Sequence, residues 1–102
     1  MKVVFARAAH DELEHIRAWI AANNPRAAAA LIARIEAKTM LLTSPALAHI
    51  GRPGFVDGTR ELIEAPYIIV YKIDGARDEI IVLSVVHGAR GRHGREADRS
   101  DP

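Results

Sequence analysis

Thr59-Arg60-Glu61-Leu62-Ile63-Glu64, Tyr67-Ile68-Ile69-Val70-Tyr71-Lys72-Ile73 and Glu79-Ile80-Ile81-Val82-Leu83-Ser84-Val85-Val86 follow one another closely between Gly58 and His87. Each run is rich in Ile, Val or Tyr and bounded by residues that break regular structure, so each is predicted to be a strand. Asp74-Gly75 between the second and third runs predicts a hairpin turn. The near-continuous apolar character of Ile68 to Tyr71 and of Ile80 to Val86 predicts strands buried on both faces, at the centre of a sheet. Alternation along the first run puts Arg60, Leu62 and Glu64 on one face and Thr59, Glu61 and Ile63 on the other. Upstream, Gly51, Pro53, Gly54 and Gly58 mark irregular backbone, with left-handed conformations as the reason for the glycines.

Two helices precede this loop. Leu13, Ile16 and Ile20 recur at spacings of three and four, predicting a helix from about residue 8 to 22, and Lys2 to Ala6 before it reads as a short strand. Asp11, Glu12 and Glu14 fall in the first half of that helix, where solvated carboxylates suit the positive end of its dipole. Asn23-Asn24-Pro25 closes one helix and opens the next: Asn24 can cap, and Pro25 at the first helical position forfeits no hydrogen bond. The second helix is predicted from Pro25 to about Leu42, with Ala28, Leu31, Ile32, Ile35 and Leu42 inward and Arg26, Arg34, Glu36 and Lys38 largely outward. The resulting order, β-α-α-β-β-β, is an α+β fold: a helix hairpin packed on one face of a small, mainly antiparallel sheet, with the first strand added beside a three-stranded meander.

A chain of 102 residues has room for one domain, here residues 1–90, followed by a polar tail over 91–102 that is expected to be mobile unless a partner orders it. The absence of cysteine excludes disulfides, thiol nucleophiles and thiolate metal sites, and makes the cytoplasm the simplest compartment. No apolar run approaches the roughly 20 residues of a membrane span, so no membrane association is expected. The net charge of +1 argues against a broadly basic surface, but Arg77, Arg90, Arg92, Arg95 and Arg99 gather the positive charge toward the C-terminus.

Few side chains promise chemistry. The histidines at 10, 15, 49, 87 and 93 include no i, i+4 pair, so no metal site and no cofactor are expected. The glycines at 51, 54 and 58 lack the Gly-Lys-Ser/Thr ending of a phosphate loop. Arg60 enters a strand directly after Gly58-Thr59, either as a binding group or in a salt bridge to Asp57, Glu61 or Glu64. His87 ends the last strand, with Arg90 close behind. It could carry a proton, bind an anion, or make a structural hydrogen bond. Trp19, the sole tryptophan, is either a helix-packing residue or a partly exposed contact for a partner.

Several of these pieces, in their order and spacing, resemble the RelE/ParE superfamily of bacterial toxins. They are Asp11-Glu12-Leu13-x-x-Ile16, Trp19-Ile20-Ala21, Asn24-Pro25-x-Ala27-Ala28, Gly51-Arg52-Pro53-Gly54, Gly58-Thr59-Arg60-Glu61-Leu62, Tyr67-Ile68-Ile69-Val70-Tyr71 and Val86-His87-x-x-Arg90. The resemblance covers residues 1 to about 90 and implies the fold already reached from periodicity. It further implies the toxin of a type II toxin–antitoxin pair, held in a hetero-oligomer by a cognate antitoxin whose C-terminal segment wraps it.

Two mechanisms divide the superfamily. RelE-like members cut messenger RNA on the ribosome with basic residues on the sheet face and a C-terminal Arg and Tyr; attack by a 2′-hydroxyl needs a base, an acid and cations for the charge that develops. In such members an Arg commonly follows the tyrosine that Tyr67 resembles, whereas this chain has Ile68. No tyrosine occurs after Tyr71, which leaves Arg60, His87 and Arg90 as the nuclease candidates. ParE-like members, similar in the Gly-Thr-Arg-Glu-Leu run, act on DNA gyrase and are not enzymes. The resemblance thus favours a ParE-like toxin, with Arg60, His87, Arg90 and Arg92 as target-binding residues and Trp19 as an antitoxin contact. A RelE-like messenger-RNA endonuclease is the first alternative, and a degenerate, non-toxic antitoxin-binding module the second.

Overall fold

The computed structural model describes residues 1–88, and Arg90, Arg92 and the tail expected beyond residue 90 lie outside the described residues. The elements are β1 (Lys2–Phe5), α1 (Arg7–Ala21), α2 (Pro25–Met40), β2 (Arg52–Pro53), β3 (Thr59–Glu64), β4 (Tyr67–Asp74) and β5 (Glu79–His87). Two short 3-10 turns, Leu41–Thr43 and Pro45–Leu47, follow α2. The sheet order is β1-β5-β4-β3-β2, with β1 parallel to β5 and every other pair antiparallel. The α+β architecture expected from the sequence is therefore present, with one addition: the two-residue β2 lies in the glycine-rich loop and makes a fifth strand.

The helix hairpin forms where the sequence provides for it. Asn24 caps α2 by accepting a hydrogen bond from the Ala27 amide at 3.0 Å, and Pro25 occupies the first turn. Ala28, Leu31 and Ile35 of α2 are buried, Ile32 is half-buried, and Leu42 is fully buried in the 3-10 turn that ends the helix early. From α1, Ala9 is buried, and Leu13, Ile16 and Ile20 pack against the core. They meet Leu62, Ile69, Tyr71, Ile80, Val82 and Val85 from one face of the sheet.

The turn between β4 and β5 is longer than the expected Asp74-Gly75 pair. Four residues connect the strands, the Asp74 carboxylate accepts from the Arg77 amide at 3.2 Å, and the positive φ falls on Asp78 (55°). Asp tolerates this conformation better than most side chains, so the reversal does not need glycine. Of the loop glycines expected to be left-handed, only Gly58 is, at φ 85°; Gly51 and Gly54 are needed because a Cβ there would collide with Tyr71 and Thr59.

One irregularity decides which way the end of the sheet faces. Val70 pairs with Ser84 but Tyr71 pairs with Val82, so β5 carries one extra residue, Leu83, opposite β4. A bulge of this kind shifts alternation by one position. Ile80 and Val82 point into the core before it, and Val85 does so after it, with His87 on the same face. Without the bulge, Val85 and His87 would face away from the helices.

Candidate functional site

The bulge is held by a side chain from the opposite layer. The Glu12 carboxylate of α1 accepts from the Ser84 hydroxyl at 2.9 and 3.2 Å and from the Val85 amide at 3.1 Å. A bulge disrupts the ladder and leaves backbone groups in need of another partner, and here an ionised acceptor supplies one. Glu12 is therefore not the solvated helix-start acid expected from the sequence but a clamp between α1 and β5. Glu14 is the surface acid of the set. It pairs with Arg17 one turn along, which holds the Glu14 carboxyl below its usual range through a direct hydrogen bond.

Beyond the clamp, α1 and the end of the sheet diverge to leave a groove of about 850 Å³. Ile16, Trp19 and Ile20 form its helical wall, and Tyr67, Val86 and His87 its strand wall, with Asp11 and His15 at the rim. The Tyr67 and His87 rings meet edge to face with centroids 5.5 Å apart. Trp19 is 74% exposed, so it packs neither into the core nor between the helices. A groove of this kind, apolar along its length with polar groups at its edges, suits an amphipathic segment of another protein chain.

Arg60 lies elsewhere. Its guanidinium donates to the Gly51 carbonyl at 2.8 Å and makes none of the salt bridges to Asp57, Glu61 or Glu64 that the sequence offered as the alternative to a binding role. Those pairings fail because strand alternation turns Glu61 to the opposite face, where it is 3% exposed and pairs with Arg52 at 3.1 Å. Glu64, at the far end of β3, faces Arg34 and Lys38 of α2. Arg60 stands beside Tyr71, whose hydroxyl accepts from the Gly51 amide at 3.0 Å and donates to the Ala48 carbonyl at 2.8 Å. Burial pushes the Tyr71 phenol above its ordinary pKa, offset in part by the Gly51 amide and the Arg60 charge.

The nuclease candidates within residues 1–88 do not converge. Arg60 pairs with Tyr71 and His87 pairs with Tyr67, so they are separated by four positions along β4 and by two strand spacings. At about 3.3 Å per residue and about 4.8 Å per strand, their backbones are roughly 16 Å apart. The face of the sheet turned away from the helices carries Thr59, Glu61 and Ile63 from β3 and Ile68, Val70 and Lys72 from β4. Only Lys72 among these six is basic.

The fold matches chains in several solved structures of toxin–antitoxin systems. Over 85% of this chain and 95% of the matched chain it resembles a structure from the chromosomal ParDE toxin–antitoxin system of P. aeruginosa, with a TM-score of 0.74 and 26% identity. It also superposes on a chain of the RelBE2 toxin–antitoxin complex of Mycobacterium tuberculosis, with a TM-score of 0.61 and 22% identity over 84% of this chain and 95% of that one. The isolated E. coli RelE toxin aligns over 97% and 96% of the two chains with a TM-score of 0.63 and 13% identity, a likeness of fold alone. These matches define the class: a small α+β protein of the RelE/ParE superfamily.

Residues 3–92 match the family described as "ParE toxin of type II toxin-antitoxin system, parDE". A protein of Sinorhizobium fredii that carries the toxin designation Y4kP is 45% identical over 78 residues, covering 74% of this chain and 75% of that protein. The chain belongs to the ParE toxin family of type II toxin–antitoxin systems. Among the described residues, no helix is long and apolar enough to cross a membrane.

Proposed function

We propose that this toxin arrests growth by binding DNA gyrase rather than by cutting messenger RNA, and that an antitoxin neutralises it by seating an amphipathic segment in the groove between α1 and the end of β5. The observation that carries the first half is the separation of Arg60 from His87. Phosphodiester cleavage needs a proton carrier and a cation on the same phosphate, whereas the Arg60 guanidinium is turned to the Gly51 carbonyl and His87 meets Tyr67, on backbones roughly 16 Å apart. On the sheet face turned away from the helices, Lys72 is the only basic residue of β3 and β4, and Arg52 of β2 is paired with Glu61. Gyrase enters through the ParE side of the family resemblance.

The antitoxin half rests on Trp19. An exposed tryptophan beside Ile16, Ile20 and Val86 is costly surface in a protein of this size, and interfaces concentrate their energy in such aromatic anchors. His87 belongs to the strand wall of the same groove. Neither assignment needs a metal or a cofactor.

Induction of the chain alone in growing cells tests the reading. Loss of plasmid supercoiling and stalled replication before any fall in message integrity is the expected outcome. Early fragmentation of translated messages would instead make this chain a ribosome-dependent nuclease, and unaffected growth would point to a non-toxic antitoxin-binding module.

A further inference from the structure

A second recess opens far from the groove, where the loop after α2 meets the start of β3. It has a volume of about 350 Å³, and His49, Thr59 and Arg60 provide its polar wall. Among the described residues no acid lines it; the remaining wall is Pro53, Gly58 and Ile73. Arg60 is half-buried, and no carboxylate lies within salt-bridge distance of it among the described residues. Arg17, Arg34, Lys38 and Arg52 each have an acid, and Arg7, Arg26 and Arg77, which have none among the described residues, are exposed, whereas Arg60 is half-buried. Among the described residues the Gly51 carbonyl is the one protein partner of this half-buried guanidinium, so its other donors face the recess and solvent and can take an anion there.

The recess is also fixed in shape. The Gly51 backbone is held by Tyr71 from below and by Arg60 from the side. The Thr59 hydroxyl and amide both bond the Val56 carbonyl, at 2.5 and 3.0 Å, and the Gly54 amide bonds the Thr59 carbonyl at 2.9 Å. Around this polar centre the chain exposes large apolar side chains. Ile50, next to His49, is 45% exposed; Val56, tied to Thr59, is 63% exposed; Leu47, bonded through its carbonyl to the Ile50 amide, is 37% exposed. A preorganised basic centre with an apolar rim has the anatomy of a protein-binding surface rather than of a free-ion site.

We propose that this recess is a second docking surface, which takes a carboxylate side chain of a partner protein flanked by apolar residues, with Arg60 as its anchor and His49 as its outer contact. The rim contributes apolar burial, and Arg60 selects the acid. This inference does not depend on which cellular target the toxin has or on where the antitoxin sits.

The test uses the full chain and three probes: a capped leucine–glutamate–leucine peptide, its glutamine counterpart and inorganic phosphate, each titrated while backbone amide and histidine ring NMR signals are recorded. The glutamate peptide is expected to shift Gly58, Thr59 and His49 saturably, and the glutamine peptide to bind about tenfold or more weakly, as befits loss of a charged hydrogen-bond acceptor. Arg60→Gln is expected to abolish the preference for glutamate. Because Arg60 also holds Gly51, His49→Ala provides a second variant: the exposed imidazole can be removed without disturbing the fold, and glutamate-peptide affinity should fall about threefold. Equal affinity for the two peptides, an unchanged preference in Arg60→Gln, or saturation by phosphate with no response to either peptide would each overturn the proposal.

Discussion

Replacing Tyr71 by phenylalanine removes one oxygen from the core and leaves two backbone groups without a partner. Tyr71 is fully buried, and its hydroxyl serves both the Gly51 amide and the Ala48 carbonyl. Neither group gains another hydrogen bond when the oxygen goes. A buried donor or acceptor left unsatisfied costs about 1–3 kcal/mol, so Tyr71→Phe is expected to lose about 2–4 kcal/mol. Against a total of roughly 5–15 kcal/mol for a domain, the variant still folds. Urea denaturation followed by far-ultraviolet circular dichroism should show a midpoint lower by about 2 M with an unchanged slope.

Tyr67→Phe is the matched control, because the Tyr67 hydroxyl makes no hydrogen bond among the described residues and its ring contact with His87 survives; its cost should stay within about 0.5 kcal/mol. The two variants should also differ in alkali. Burial raises the Tyr71 pKa in the folded state above the unfolded value of about 10, so the unfolded chain loses this proton first. The Tyr71 contribution is therefore complete below about pH 10 and falls as pH rises through the folded pKa. Tyr71→Phe should flatten that part of the stability profile. A loss below about 0.5 kcal/mol for Tyr71→Phe would refute the claim that this hydroxyl holds the loop from Ala48 to Gly51.

Further expectations follow from other contacts. Glu12→Ala should cost about 1–3 kcal/mol by leaving the Val85 amide without its acceptor, and hydrogen exchange at Val85 should accelerate; unchanged exchange would show that the clamp does not hold the bulge. Trp19→Ala should alter stability by less than about 0.5 kcal/mol yet weaken antitoxin binding tenfold or more, measured by calorimetry on the purified pair. Gly51→Ala would place a Cβ 2.7 Å from the Tyr71 hydroxyl and 2.9 Å from the Glu61 carbonyl, so thermal denaturation should report a loss of about 1–3 kcal/mol. Gly75→Ala meets nothing within 4 Å and should be neutral or slightly stabilising.

The parts of the fold legible in the sequence were those governed by neighbours along the chain. The spacing of Leu13, Ile16 and Ile20, the Asn24-Pro25 cap and the β-branched runs after Gly58 each act within a few residues, and the two helices and three long strands appear where those signals place them. The bulge in β5 was illegible because Ser84 within an apolar run looks like any polar interruption. Its meaning comes from Glu12, 72 positions earlier in the chain. Of the two roles open to Arg60, the salt bridge is the one the structure lacks: the carboxylates beside it in sequence point elsewhere, and its partner is a backbone carbonyl that carries no sequence signature. The groove was only partly legible. Trp19 and His87 were each singled out, but their common cavity depends on the parity shift that the bulge imposes.

The central claim is that this ParE-family toxin acts by binding and not by cleaving RNA. Adding the purified chain in parallel to a gyrase supercoiling reaction and to ribosomes programmed with a defined message tests it most directly. Inhibited supercoiling with an intact message is the predicted result. A message cut at the ribosome, with supercoiling undisturbed, would contradict it.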